Sequence, residues 1–360
     1  MKPAIIHDYL NQYGGAERVV EAMHELFPNA PVYTSVYDKE KMPESFSRMD
    51  IRVSFMQKLP FIKSQSKKYL MLYPHAFRSF NLSGFDVILS SSSSFAKFVV
   101  KPKGAMHVCY CYTPTRFLWY YDEYVERENI GALYKTVLPR LIENLKKQDL
   151  DAAAGVDRYI AISNAISLRI RDIYQADSEV IFPPVDASEY SAVSANDGSY
   201  LIISRLRGYK RIDLAVKAFN RTGKTLRIIG DGEIIGNLKK VAGNNIEFLG
   251  RLDETGKRAY LAKCKALVFP GEEDFGITPL EAQACGKPVI AYRSGGAIDT
   301  VIEGTTGVFF NEQTEEEVLT AINRLEGMKW NAEVIRNHSL LFDKAFFKQK
   351  LKDFFSKLPV

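Results

Sequence analysis

Short apolar runs alternate with amphipathic stretches along most of this 360-residue chain. The second half shows the pattern most plainly. Residues 199–204, 225–230, 245–250, 266–270, 288–292 and 307–310 are short, rich in Ile, Leu, Val and Phe, and read as buried strands. Helical spacing fills the gaps at 212–219, about 257–263 and around Glu281. Such strands alternating with helices predict a parallel sheet covered on both faces. The first half repeats the theme with longer insertions. Residues 4–8, 85–89, 107–111 and 158–163 read as strands, 11–15 as a glycine turn and 16–26 as a helix. The five serines at 90–94 read as a tight polar turn at a strand's carboxyl end. Residues 183–199 are poor in apolar bulk and rich in turn formers. They place a linker at about 186–198, between a first domain at 1–185 and a second at 199–340. The tail at 342–358 is amphipathic and helical.

Composition sharpens this only in places. The length exceeds one typical domain, which agrees with two. With 46% hydrophobic and 25% charged residues, the chain is ordinary globular protein. It has no apolar run long enough for a transmembrane helix, which takes about 18 residues or more. The N-terminus lacks the apolar core of a signal peptide and reads as a first strand, so the expected compartment is the cytosol. Cys109 and Cys111 are spaced too tightly for the usual zinc pair, and no second pair or histidine cluster accompanies them. Together with Cys264 and Cys285 they are expected as reduced, buried thiols.

The net charge of +5 says less than its distribution. Residues 51–80 hold Arg52, Lys58, Lys63, Lys67, Lys68 and Arg78 and no acidic residue. Phe55, Met56, Leu59, Phe61 and Ile62 are interleaved with them. That mixture suits an anionic membrane surface, and equally a solvated basic face over an ordinary core.

Candidate chemistry gathers just after the predicted strands. Glu273 and Glu281 lie eight positions apart, with the turn Phe275-Gly276-Ile277 between them. An apolar strand precedes that turn, and a helix opening with Thr278-Pro279 follows it. A helix start offers unpaired backbone N–H groups and the positive end of a dipole, which suits a phosphate. Glu273 on the loop and Glu281 about a turn into the helix are then placed to grip two parts of one long ligand. Solvated surface carboxylates are the plainer alternative. Upstream, Ser204-Arg205-Leu-Arg207-Gly-Tyr-Lys210-Arg211 follows the first strand of the second domain. Gly14-Gly15-Ala16-Glu17-Arg18 follows the first strand of the chain and opens a helix. Its glycines allow close backbone approach to a phosphate, although it is not G-x-G-x-x-G and a plain tight turn reads as well.

The carboxylate pair resembles the E-x7-E motif of retaining glycosyltransferases of family 4, which have the GT-B fold. Arg205 and Lys210 match that family's paired Arg and Lys, and Gly14-Gly15 its glycine loop. The stretch Cys109-Tyr-Cys-Tyr112-Thr-Pro-Thr-Arg116-Phe-Leu-Trp119 resembles the Y-C-H-T-P-x-R-x-x-W segment of bacterial O-antigen and capsule mannosyltransferases. Tyr112 stands where that family carries a His that contacts the donor sugar, so the resemblance makes Tyr112 a candidate donor contact and excludes an essential imidazole there. His7-Asp8 is a further polar pair at a strand end, fit for a capping or core role as much as for substrate. The likeness runs from Ile5 to about Phe310.

The resemblance implies an α/β architecture of GT-B type, two doubly wound, Rossmann-like domains facing across a cleft. The first would hold the acceptor, with the tail at 342–358 packed back on it, and the second the nucleotide sugar. Glu281 would contact the ribose hydroxyls, and Glu273 the transferred sugar. The backbone of Asp274, Phe275, Gly276 and Ile277 would meet sugar or phosphates. Gly230-Asp231-Gly232 and Gly250-Arg251-Leu252 would line the base pocket. Arg205 and Lys210 would stabilise the charge growing on the leaving diphosphate with no metal and no other cofactor. Arg207 and Arg211 read as surface or helix-start charges. Lys58, Lys63, Lys67 and Lys68 are the candidate membrane and acceptor contacts.

The activity implied is retaining transfer of mannose from GDP-mannose to a lipid-linked oligosaccharide or polysaccharide. The enzyme would work peripherally on the inner face of the cytoplasmic membrane, in polysaccharide or lipopolysaccharide biosynthesis. A UDP-sugar donor is the alternative within the class. A nucleotide-sugar epimerase of the same shape needs carboxylates in both domains, and no clear N-terminal set is visible. A nucleic-acid-binding role for the basic segment lacks a recognised module, and the paired glutamates oppose it.

Overall fold

The structure, a computed structural model, describes residues 1–120 and 134–359. The chain divides into two compact units, Met1–Pro184 with Phe347–Val360, and Val185–Phe346.

The first unit is built on seven parallel strands. They are β1 (Pro3–His7), β2 (Val32–Thr34), β3 (Ile51–Val53), β4 (Val87–Ser92), β5 (Met106–Cys111), β6 (Arg158–Ala161) and β7 (Ser178–Val180). Their spatial order is β3-β2-β1-β4-β5-β6-β7. The second unit repeats the plan with six: β8 (Tyr200–Ile203), β9 (Leu226–Ile229), β10 (Ile246–Gly250), β11 (Ala266–Phe269), β12 (Val289–Tyr292) and β13 (Gly307–Phe310), in the order β10-β9-β8-β11-β12-β13. In each sheet the chain starts in the middle, winds to one edge, then returns to wind the other way. The reversal falls between β1 and β4, and between β8 and β11. At such a point the connections leave in opposite directions and a crevice opens beyond the carboxyl ends of the strands.

The local reasons are visible in the sequence. Strands covered on both faces read as unbroken apolar runs, and every residue of β4 and β11 is buried. The helix Ile212–Thr222 connects β8 to β9. It buries Ile212, Leu214, Ala215, Val216, Ala218 and Phe219 and ends at Gly223, whose φ of 67° only glycine adopts at little cost. Phe219 meets Tyr200 edge to face, with ring centroids 5.0 Å apart. Each such fully buried aromatic contributes roughly 1.5–3 kcal/mol from its apolar surface.

Several expectations are modified. β2, β3 and β7 are three residues each and carry too short a pattern to read from sequence. Ser90, Ser91 and Ser92 are not turn residues but the buried end of β4, and the turn begins at Ser93. Polar side chains can occupy a buried strand when neighbours satisfy them: Ser90 Oγ pairs with His107 Nε2 at 2.8 Å. Burial pushes the His107 imidazole down to about 4, so it stays neutral beside that hydroxyl.

The stretch expected as a linker packs within the second unit. Val193 N–H donates to the Cys285 carbonyl, Asp197 N–H to that of Lys263, and Lys287 Nζ to that of Ala195. The tail forms a helix at Lys344–Ser356, and residues from Phe347 onward group with the first unit. All four cysteines are buried free thiols. Among the described residues no helix is long and apolar enough to cross a membrane.

Candidate functional site

In the first unit, the reversal point brings the ends of β1 and β4 together. Asp8, just past β1, is 2% exposed. One carboxylate oxygen accepts from Ser93 N (2.6 Å), Ser93 Oγ (2.8 Å) and Ser94 N (3.0 Å), and the other from Phe95 N (2.7 Å) and Ala96 N (2.6 Å). Successive backbone N–H groups make a pocket for an anion. Here the protein's own carboxylate fills it. Asp8 therefore shapes the serine turn, and those amides are already satisfied.

Beside it runs a polar chain. Tyr112 Oη donates to the Ala16 carbonyl at 3.1 Å, so it accepts from Ser91 Oγ at 2.8 Å. Ser91 Oγ in turn pairs with His7 Nδ1 at 3.0 Å, and His7 Nε2 lies 3.6 Å from Glu17 Oε1. Burial raises the Tyr112 phenol well above its usual range, so this hydroxyl stays protonated. Tyr112, expected as a donor contact, is tied to the helix that opens at Gly15. Gly14 itself is in extended backbone and precedes that helix.

The serine turn is anchored from behind as well. Lys97 Nζ bonds the Ser94 carbonyl (2.6 Å) and Thr115 Oγ1 (2.9 Å) and forms an ion pair with Asp149 Oδ1 at 2.6 Å. Asp149 also accepts from Thr115 Oγ1 (2.7 Å), Trp119 Nε1 (2.8 Å) and Tyr174 Oη (2.7 Å). Both side chains of the pair are almost wholly buried.

In the second unit, the reversal point gathers the loops after β8 and β11. Arg205 is exposed, and Lys210 lies in the short turn Gly208–Lys210. The Lys210 ammonium forms an ion pair with Glu273 and sits 4.6 Å from the centre of the Tyr209 ring, a cation–π geometry. The two charges expected to act on one ligand are thus adjacent. Gly276 has φ 93° and starts the helix Ile277–Ala284, which carries Glu281. Phe275 is buried at 4% exposure, with Asp274 and Ile277 half-buried on either side of this start.

Glu281 is not a surface carboxylate. It is 4% exposed and pairs with Lys257 Nζ at 2.9 Å. Lys257 was missed in the sequence, where a lysine on an amphipathic helix looks like any solvated one. Gly230 and Arg251 stand on neighbouring loops: Gly230 N–H donates to the Gly250 carbonyl at 2.7 Å, and Arg251 Nε lies 3.7 Å from Asp231. Arg207 pairs with Glu233, and Arg211 bonds Asp213 and Gln313. Both therefore make local surface and helix-start contacts.

The basic segment is less cationic in place than in sequence. Asp50 holds Arg52, Asp38 holds Lys63 at 3.0 Å, and Arg78 donates to Gln148. Lys58 and Lys68 are exposed, and the Lys67 side chain lies outside the described residues. Met56, Ile62 and Phe77 are buried, whereas Phe55 is 45% and Phe61 75% exposed. Phe61 holds a left-handed φ of 54°, a rare conformation for a bulky side chain.

Comparison with known proteins agrees with this geometry. Residues 189–338 match the family Glycosyl transferases group 1. The chain is 24% identical over 415 aligned residues to the alpha-1,3/1,6-mannosyltransferase ALG2 of Candida glabrata, covering 94% of this chain and 88% of that protein. It is 23% identical over 360 residues to the O-antigen chain mannosyltransferase C of Escherichia coli, covering 91% and 88%. It spans about half, 52%, of an uncharacterized glycosyltransferase of Methanocaldococcus jannaschii, at 29% identity over 49% of this chain. In fold it is similar to Anabaena HepE in complex with UDP, with a TM-score of 0.73 at 18% identity over 99% of this chain and 100% of that one. The two doubly wound sheets, the strand-end loops and the matched second unit lead to one conclusion: the chain is a glycosyltransferase of the GT-B fold, and its second unit carries a glycosyl transferase group 1 domain.

Proposed function

We propose that this enzyme transfers mannose, with retention of configuration and without a metal, from GDP-mannose to a lipid-linked oligosaccharide or polysaccharide. The observation that carries the reading is the Lys210–Glu273 pair at the strand-end loops of the second unit, with Glu281 about one turn into the helix Ile277–Ala284 that follows. A preplaced cation opposes charge developing on a leaving diphosphate without reorganising at the moment of reaction. Lys210 and Arg205 are those cations. Glu273 orients the sugar, and Glu281, fixed by Lys257, takes the ribose. Mannose is favoured by the two mannosyltransferase relatives. A thermal-shift screen of GDP, UDP and ADP sugars in EDTA tests donor and metal together, because a ligand of the folded state raises the melting temperature. GDP-mannose is expected to give the largest shift. A larger shift with a UDP-sugar, or none without added manganese, overturns the respective part.

The two carboxylates separate in calorimetry with GDP. Glu281→Ala is expected to weaken GDP binding at least tenfold, about 1.4 kcal/mol, because it removes the ribose partner. Glu273→Ala is expected to change GDP affinity less than threefold while abolishing most transfer. Equal effects on GDP affinity would mean that the roles are misassigned.

The first unit is read as the acceptor side, brought to anionic membranes by its basic segment. Support comes from exposed Lys58 and Lys68, which alternate along the chain with exposed Phe55 and Phe61. Each basic residue near such a surface is worth about 1 kcal/mol, screened by salt, while inserted aromatics bind in a salt-resistant way. Wild-type protein is expected to co-sediment with phosphatidylserine vesicles at low salt, and a Lys58→Glu/Phe61→Ser/Lys68→Glu variant to stay in the supernatant. Sedimentation of both to the same extent removes this surface from the reading.

A further inference from the structure

We infer that Gly295 and Gly296, on the loop after β12, are positioning residues that set the place of Glu273 by backbone-to-backbone contact. The inference rests on the reading of Glu273 given above. Gly296 N–H donates to the Glu273 carbonyl at 2.9 Å. A Cβ on Gly295 would stand 2.1 Å from that same carbonyl oxygen, and one on Gly296 2.2 Å from Phe275 Cα and 2.3 Å from its oxygen. These are main-chain atoms, which cannot swing aside as a flexible side chain does. Gly295 also has φ +57°, a region that glycine occupies at least cost. Next to them, Ser294 Oγ donates to Glu272 Oε2 at 2.9 Å.

The opposite flank is close too, though less so. A Cβ on Gly271 would lie 2.8 Å from Lys210 Cα and 2.9 Å from its oxygen. The segment from Gly271 to Phe275 is therefore held between two other backbones, that of Lys210 and that of Gly295-Gly296. Glu273 meets Lys210 because main chains fix both ends of the pair. A methyl group on Gly295 would push on the Glu273 carbonyl and one on Gly296 on the Phe275 backbone, and whether that segment or the glycine loop gives way, the Gly296 N–H bond to the Glu273 carbonyl is loosened. Misplacement of about 1 Å at a reacting centre costs on the order of a hundredfold in rate.

The test uses the full-length enzyme with GDP-mannose as probe, following GDP release. Rates are taken per GDP-binding site counted by calorimetry, so that a loss of folded protein does not register. Gly296→Ala is expected to lower kcat at least tenfold with the donor KM within threefold. It is also expected to speed amide exchange over residues 271–276 at least tenfold. Gly304→Ala, with φ +74° and only Met328 Cε nearby at 3.6 Å, brings backbone strain that Gly296 at φ −71° lacks, yet no backbone collision, and is expected to stay within twofold in kcat. Ser294→Ala, which deletes only the hydroxyl on Glu272, is expected to lower kcat about threefold at unchanged KM, and decides the matter should Gly296→Ala not fold. A kcat within twofold of wild type in folded Gly296→Ala overturns the inference. So does unchanged exchange over 271–276, or an unaltered Ser294→Ala when that variant alone folds. Wild-type enzyme that turns over no GDP-mannose instead counts against the donor assignment, and the exchange measurement, which needs no donor, still decides the glycines.

Discussion

Lys210→Ala is expected to lower turnover by roughly a hundredfold, equivalent to about 2.7 kcal/mol of transition-state stabilisation. Three features of the structure make this position sensitive. The side chain is only 12% exposed, its ammonium faces Glu273, and that same ammonium lies over the Tyr209 ring. Little water screens it, so its field at a developing phosphate charge is strong. Removing it also strands the Glu273 carboxylate in a half-buried place, which adds to the cost. Arg205→Ala is expected to have an effect in the same direction. Lys210→Arg is expected to recover only part of the rate, because a planar fork does not replace a compact ammonium. A loss below fivefold in Lys210→Ala would remove this lysine from the machinery.

The largest effect on stability is expected in the first unit, at Asp149→Ala. That change leaves the Lys97 ammonium, almost wholly buried, without its counter-charge, and orphans the donors of Trp119 and Tyr174. Breaking one side of a buried ion pair costs about 3–5 kcal/mol. For a unit of this size each kcal/mol moves the melting temperature by roughly 2–4 °C, so a drop of about 6–20 °C is expected in thermal unfolding. The double change Lys97→Met/Asp149→Leu is expected to regain only the part due to the stranded ammonium, because Trp119 Nε1 and Tyr174 Oη still lack their acceptor. A single variant that melts within 2 °C of wild type, a limit set from that same scale, would contradict this account.

What could be read from the chain, and what could not, follows from distance along it. The unit from Ala266 to Ala284 is local. Its buried strand is a continuous apolar run, its turn has a glycine at φ 93°, and its helix follows at once. Arg205 and Lys210 were visible for the same reason. Partnerships across the sequence were not. Asp8 fills the amide pocket of residues 93–96, Lys257 pairs with Glu281 on another helix, and Gly295-Gly296 touch a loop on a different strand. None of these residues has an unusual neighbourhood in the sequence. The basic window shows the converse error: Asp38 and Asp50 stand just outside residues 51–80, yet they neutralise Lys63 and Arg52.

The first unit takes its last piece, Phe347–Val360, from beyond the whole of the second. Phe347 lies against Tyr110 with ring centroids 5.8 Å apart, Phe355 against Phe27 at 5.2 Å, and Lys348 pairs with Glu25 at 2.8 Å. During synthesis, at about 5–20 residues per second, residues 185–346 take on the order of 10–30 s to emerge. Throughout that interval Phe27 and Tyr110 wait uncovered on a nascent chain. The first unit thus begins to emerge before the second and is completed only after it, and a chain cut short before Phe347 keeps that seam open.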